Sequence, residues 1–160
     1  MKYFAYVWID IKRLLRSKAT WAVVAVIALS PLLTLLTGLS GSASATTLTS
    51  RYVSQPAMSG ALYSMFLFVL FSLYEISRVQ RRNIGSITDS VASPLVLGSA
   101  KVLALACVSA MASLLAFLVN LPFAAAQMEV MFDFSVYCQF YFIVFWPTLL
   151  FGLLLIAACF

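Results

Sequence analysis

The chain has 160 residues, 64% of them apolar and 9% charged, with a mean hydropathy of +1.05. Soluble domains hold roughly 45–50% apolar and 25% charged residues, so these proportions exclude an ordinary water-soluble fold and predict an all-α, polytopic membrane protein. The net charge of +5 arises at the margins of apolar stretches rather than on a free-standing basic helix, which argues against nucleic acid as a partner.

Residues 1–18 are too charged to cross a membrane and too regular for a disordered tail. Phe4, Val7, Trp8, Ile11, Leu14 and Leu15 recur at helical spacing, with Asp10, Lys12, Arg13 and Arg16 on the remaining face. The pattern predicts an interfacial elbow helix, its apolar side anchored by Trp8, Ile11 and Leu15 and its Arg13 and Arg16 turned to anionic lipid. A plain juxtamembrane anchor and a helix that also touches a cytoplasmic partner both fit. Ala43-Ser44-Ala45 imitates a signal-peptidase site, but the preceding apolar stretch of about 20 residues exceeds the usual 7–15, and retention is expected.

A transmembrane domain over residues 19–160 follows. Crossing a hydrocarbon core of about 30 Å takes about 20 apolar residues in a helix, and four segments qualify, at about 19–39, 57–74, 102–126 and 136–160. Helices are expected throughout, because the ~10-residue alternation of a membrane barrel is absent. Pro31 and Pro147 are expected to kink the first and fourth spans, and Pro122 to mark the outer end of the third. The stretch from Gly38 to Pro56 reads as a flexible external connection.

The basic residues orient these spans. Lys2, Lys12, Arg13, Arg16 and Lys18 precede the first, Arg78, Arg81, Arg82 and Lys101 lie between the second and third, and Arg51 alone falls elsewhere. Positive charge concentrated in alternate connections predicts a cytoplasmic amino terminus and a cytoplasmic 75–101 connection.

Several chemistries find no support. There is no His, and HExxH, GxSxG and GxxxxGK[ST] are all missing, so no catalytic, metal or cofactor site and no Walker-type ATP site is expected in this chain. No charged residue lies in mid-span, whereas ion-coupled carriers usually place one there. Cys107, Cys138 and Cys159 lack CxxC spacing and read as small apolar residues. Ser109, Ser113 and Thr148 are too few to require a pore and suit close helix packing.

The 75–101 connection is longer than the 2–8 residues typical between bundle helices. Glu75 and Arg78 can pair at i,i+3, Arg81 and Arg82 extend a basic face, and Ile84, Ile87 and Val91 follow at helical spacing up to Ser93-Pro94. A solvated loop with an interfacial helix is one reading. A docking element carried by Arg78, Arg81, Arg82, Ile84, Ile87 and Val91 is the other.

The order of basic amphipathic preface, span, external loop, span, Arg-rich turn with Gly85, Ser93-Pro94 and Gly98-x-x-Lys101 before the third span resembles the permease subunit of type-2 ABC exporters. It departs from that family in the separation of Gly98 from Lys101 and in an acidic cluster reduced to Glu75. The resemblance implies a coupling helix near 84–92, a separate cytoplasmic ABC ATPase subunit, a second permease subunit as homo- or heterodimer partner, and the plasma membrane of a prokaryote. It also implies a six-helix domain, so the sequence is expected to continue with at least two more helices. A non-transporting assembly or anchoring protein is the alternative.

Overall fold

The structure, a computed structural model, describes residues 2–42, 49–81, 94–127 and 132–159, with side chains described at 3–33, 57–78, 96–126 and 132–158. Among the described residues all but Ser17, Phe132 and Asp133 are helical. Helix α1 spans Lys2–Arg16, α2 Lys18–Ser42, α3 Thr49–Arg81 and α4 Pro94–Gln127; α5, Phe134–Gln139, runs through a π-helical segment, Phe140–Phe145, into α6, Trp146–Cys159. Ala57–Arg78, Val96–Ala126 and Phe134–Ala158 are each long and apolar enough to cross a membrane.

The packing pattern gives the bundle its plan. Helix α2 packs on both α3 and α4, and α6 packs on both as well, while α3 and α4 meet only slightly. Helices α3 and α4 therefore occupy one diagonal of a four-cornered bundle, with α2 and the α5–α6 rod on the other. Close approach rests on small residues. Ala100, Ala104, Ala112, Ala116 and Ala124 of α4 are all buried, a stripe that lets neighbouring backbones draw near. The outer surface remains apolar, with Val26, Leu33, Phe66, Leu70, Leu118, Ile143, Phe151 and Leu154 all about half-exposed or more.

Helix α1 ends at Arg16, and the segments Tyr3–Arg16 and Lys18–Leu33 meet at 77° across Ser17. Two donors serve the carbonyls left free at the helix end: the Ser17 amide donates to Leu14 O at 3.0 Å, and the Trp21 indole donates to Leu15 O at 2.8 Å. Helix α1 lies against α4, burying Val7 and Leu14 and packing Ile11 against the core.

Pro31, Pro122 and Pro147 each leave the carbonyl four residues earlier without its backbone donor, and side chains bond to carbonyls nearby. Pro31 deprives Ile27 O, and the Ser30 hydroxyl donates to that carbonyl at 2.9 Å. Across the interface, Asn120 Nδ2 of α4 donates to Ala28 O at 3.0 Å. Pro122 does not end its helix, contrary to the expectation from sequence: α4 continues to Gln127. The Tyr137 hydroxyl there donates to Phe117 O at 2.8 Å, one residue before the carbonyl that Pro122 leaves free. Ahead of Pro147, the ladder widens to the π register and the Trp146 amide donates to Tyr141 O, while Thr148 Oγ1 donates to Val144 O at 2.6 Å. A wide turn preceding a proline relieves its clash with the carbonyl four residues back.

The remaining differences from the sequence reading concern helix length. Helix α3 begins before residue 57 and continues past 74 to Arg81, and α4 begins at Pro94, a residue suited to the first position of a helix. Polar ends thus prolong helices beyond their apolar spans. The 43–48 part of the external connection, including Ala45, lies outside the described residues.

Candidate functional site

Charged side chains from three helices converge at the end of the bundle where α1 crosses α3 and α4. Asp10 and Arg13, one turn apart on α1, pair at 3.6 Å. Glu75 and Arg78 on α3 repeat that spacing, pairing at 3.2 Å. The two pairs are joined because Arg13 also reaches Glu75, at 3.6 Å. Glu75 is only 5% exposed, whereas Arg13 and Arg78 are 45% and 39% exposed. A carboxylate that deep needs countercharge, and the two half-exposed guanidiniums supply it from either side. Lys101 of α4 faces the same cleft, which is closed on its apolar side by Leu14, Ile76, Ala104 and Leu105.

This arrangement gives α1 a fixed seat. Its apolar contacts with α4 act over a face, while the Arg13–Glu75 pair is directional and fixes register with α3. Among the described residues, no three His, Cys, Asp or Glu side chains converge as metal ligands.

A second polar group lies deeper, where α2, α3 and α4 meet. Ser30 Oγ is 2.7 Å from Ser64 Oγ and 3.3 Å from Gly60 O. With its proton given to Ile27 O, Ser30 accepts from Ser64, satisfying both hydroxyls. Gly60 is required here, because a Cβ on it would lie 3.1 Å from the Pro31 backbone. Other hydroxyls fold back on their own helix, as Ser109 does onto Ala106 O at 2.8 Å. Buried Thr20, Ser72 and Ser113 hydroxyls have no partner among the described residues.

The residues singled out from sequence fall into three groups. Arg13 and Arg78 come together on Glu75. Trp8 and Leu15 are exposed at 66% and 36%, and Ile11 turns inward instead; Arg16 is exposed. Arg81 is the last residue of α3, with its side chain outside the described set, and Arg82, Ile84, Ile87 and Val91 lie outside the described residues altogether. Sequence reasoning missed the roles of Asp10 and Lys101 and the Ser30–Ser64–Asn120 group. The signal available for Asp10 and Glu75 was their being acidic residues amid cationic flanks. Comparison with known proteins finds no match: no family model, curated protein or solved structure is similar to this chain.

Proposed function

We propose that the chain is the membrane-embedded permease subunit of an ATP-driven exporter, its energy supplied by a separate cytoplasmic ATPase. The observation that carries the membrane reading is the set of three long apolar helices with a largely apolar outer surface. Helix α2, apolar along its length after Lys18, is the fourth span, so that α1 lies along the cytoplasmic face at 77° to it. The distribution of basic residues supports a cytoplasmic amino terminus and a cytoplasmic 82–93 segment, and the sequence resemblance supports the plasma membrane of a prokaryote.

The exporter reading rests on the sequence resemblance around Arg78–Lys101. Its mechanical support is the α3 base: Glu75, paired with Arg13, ties the helix that leads to the 82–93 segment to α1. A push on that segment by an ATPase would be transmitted to α3, α1 and α4 together. A second permease subunit completes the path. Substrate class is left open.

The test is isolation of the native protein in detergent, with ATP turnover measured on the complex. An ATPase should co-purify, and replacing Ile84, Ile87 and Val91 by Ser should abolish association while leaving membrane insertion intact. A complex that forms and turns over ATP normally with all three replaced would overturn the coupling role. Absence of any ATPase from the native complex would favour the anchoring alternative.

A further inference from the structure

Helices α3 and α4 meet only slightly, yet α1 reaches both, packing on α4 and pairing its Arg13 with Glu75 of α3. The two carboxylates at this junction are not used alike. Glu75 engages Arg78 through Oε1 and Arg13 through Oε2, whereas Asp10 pairs with Arg13 through Oδ1 and keeps Oδ2. Lys101 of α4 lines the same cleft as Asp10, is half-buried and makes no ion pair among the described residues. Of the charges acting on it, the attraction of Asp10 exceeds the repulsion of Arg13. The two groups are near enough to attract and too far apart for a direct ion pair. The cleft that they share has a volume of about 10 Å³, which admits about one water molecule.

We propose that α1 is a brace that sets the spacing of α3 and α4, holding α3 by Arg13 on Glu75 and α4 by Asp10 on Lys101 through one water in the cleft. Asp10 and Arg13 stand one turn apart on α1, so a single turn of that helix serves both neighbours. The Lys101 ammonium donates to the water, and the water donates to Asp10 Oδ2. Arg13 and Glu75 line the same cleft and complete the roughly two to four polar partners that a held water needs. A bridging water is nearly as good as a direct hydrogen bond, and the apolar wall of Leu14, Ile76, Ala104 and Leu105 strengthens it by lowering the local dielectric. Lys101 is then a positioning residue: it acts on α1, and through α1 on α3, which α4 itself scarcely touches. The brace stands apart from the exporter reading, because a chain that anchored without transporting would be held in the same way.

A double-mutant cycle on the full chain purified in detergent tests the link. Lys101→Met should shift the unfolding equilibrium about fivefold in the wild type and under about twofold in an Asp10→Asn background, as for a part-exposed ionic contact. Lys18→Met, which removes the same charge from an exposed position, should have the same effect in both backgrounds. Equal losses for Lys101→Met in the two backgrounds would overturn the link. The brace is read separately, from the distance between spin labels on cysteines placed at Ser77 of α3 and Ser99 of α4, each bonded within its own helix, with Cys107, Cys138 and Cys159 replaced by Ala. Asp10→Asn and Lys101→Met should each broaden that distance distribution, and together no further than either alone; an unchanged distribution would overturn the brace. Ala104→Val, which fills the cleft, should abolish the coupling, and coupling that survives it would overturn the water. Circular dichroism establishes that each variant is folded; should Lys101→Met fail to fold, Lys101→Gln takes its place in the cycle.

Discussion

Buried polar residues do specific work beside the prolines. Ser30 serves the carbonyl that Pro31 leaves without a donor and also bonds Ser64 of the next helix, so its value depends on the proline. Ser30→Ala should cost about 1–3 kcal/mol, as expected when a buried acceptor loses its donor. In a Pro31→Ala background the loss should be smaller, because the backbone amide restored by that substitution can serve Ile27 O. Thermal unfolding of the two single variants and the double variant in detergent measures this coupling; strict additivity would contradict it. Two glycines give a second contrast. Gly60→Ala places a Cβ 3.1 Å from Pro31 backbone atoms that cannot rotate away, and should destabilise by about 1–3 kcal/mol. Gly98 has nothing within 4 Å of an added Cβ, so Gly98→Ala should be neutral or stabilise by up to ~1 kcal/mol through helix propensity. Comparable melting shifts for both would refute the packing argument.

At the scale of elements, α1 is held by two unlike forces, and they can be separated. Glu75→Gln removes the countercharge of Arg78 and one of the two of Arg13, which keeps Asp10, and should destabilise the α1 seat by about 1–3 kcal/mol, less than the roughly 3–5 of a fully buried pair, since both arginines are partly solvated. Hydrogen exchange should show faster opening of α1 amides with α4 largely unchanged; unaltered protection of α1 would contradict the latch. The amphipathic character of α1 was legible from the spacing of Val7, Ile11 and Leu14, but periodicity reports that a face is apolar and not what covers it. Lipid was expected, and α4 takes much of that face, leaving Phe4, Trp8 and Ile9 exposed. The π turn at Phe140–Phe145 was not legible, because one extra residue per turn barely disturbs an all-apolar pattern. Its aromatic consequence is clear in the structure: Tyr137, Tyr141 and Phe145 are buried in a row, with ring centroids 4.8 and 5.6 Å apart. The end of α4 was misread at Pro122 because a proline's cost is set by neighbours such as Tyr137, which lie distant in sequence.

For the whole molecule, the helical class and the apolar spans followed from composition and segment length, since a chain with so few charges has few other ways to satisfy its backbone. The ionic junction did not follow, because Arg13 and Glu75 are far apart in sequence and only the fold brings them to 3.6 Å. On the reading proposed above, the bundle crosses a membrane with its amino terminus and its 82–93 segment on the same, cytoplasmic side. Cysteine accessibility in intact cells decides this sidedness, with Cys107, Cys138 and Cys159 first replaced by Ala and single cysteines then placed at Lys12, Ser44, Ser86 and Ala126. An impermeant maleimide should label positions 44 and 126 from outside, and reach 12 and 86 only after the membrane is opened. Labelling of position 86 in sealed cells, or of all four positions alike, would contradict it.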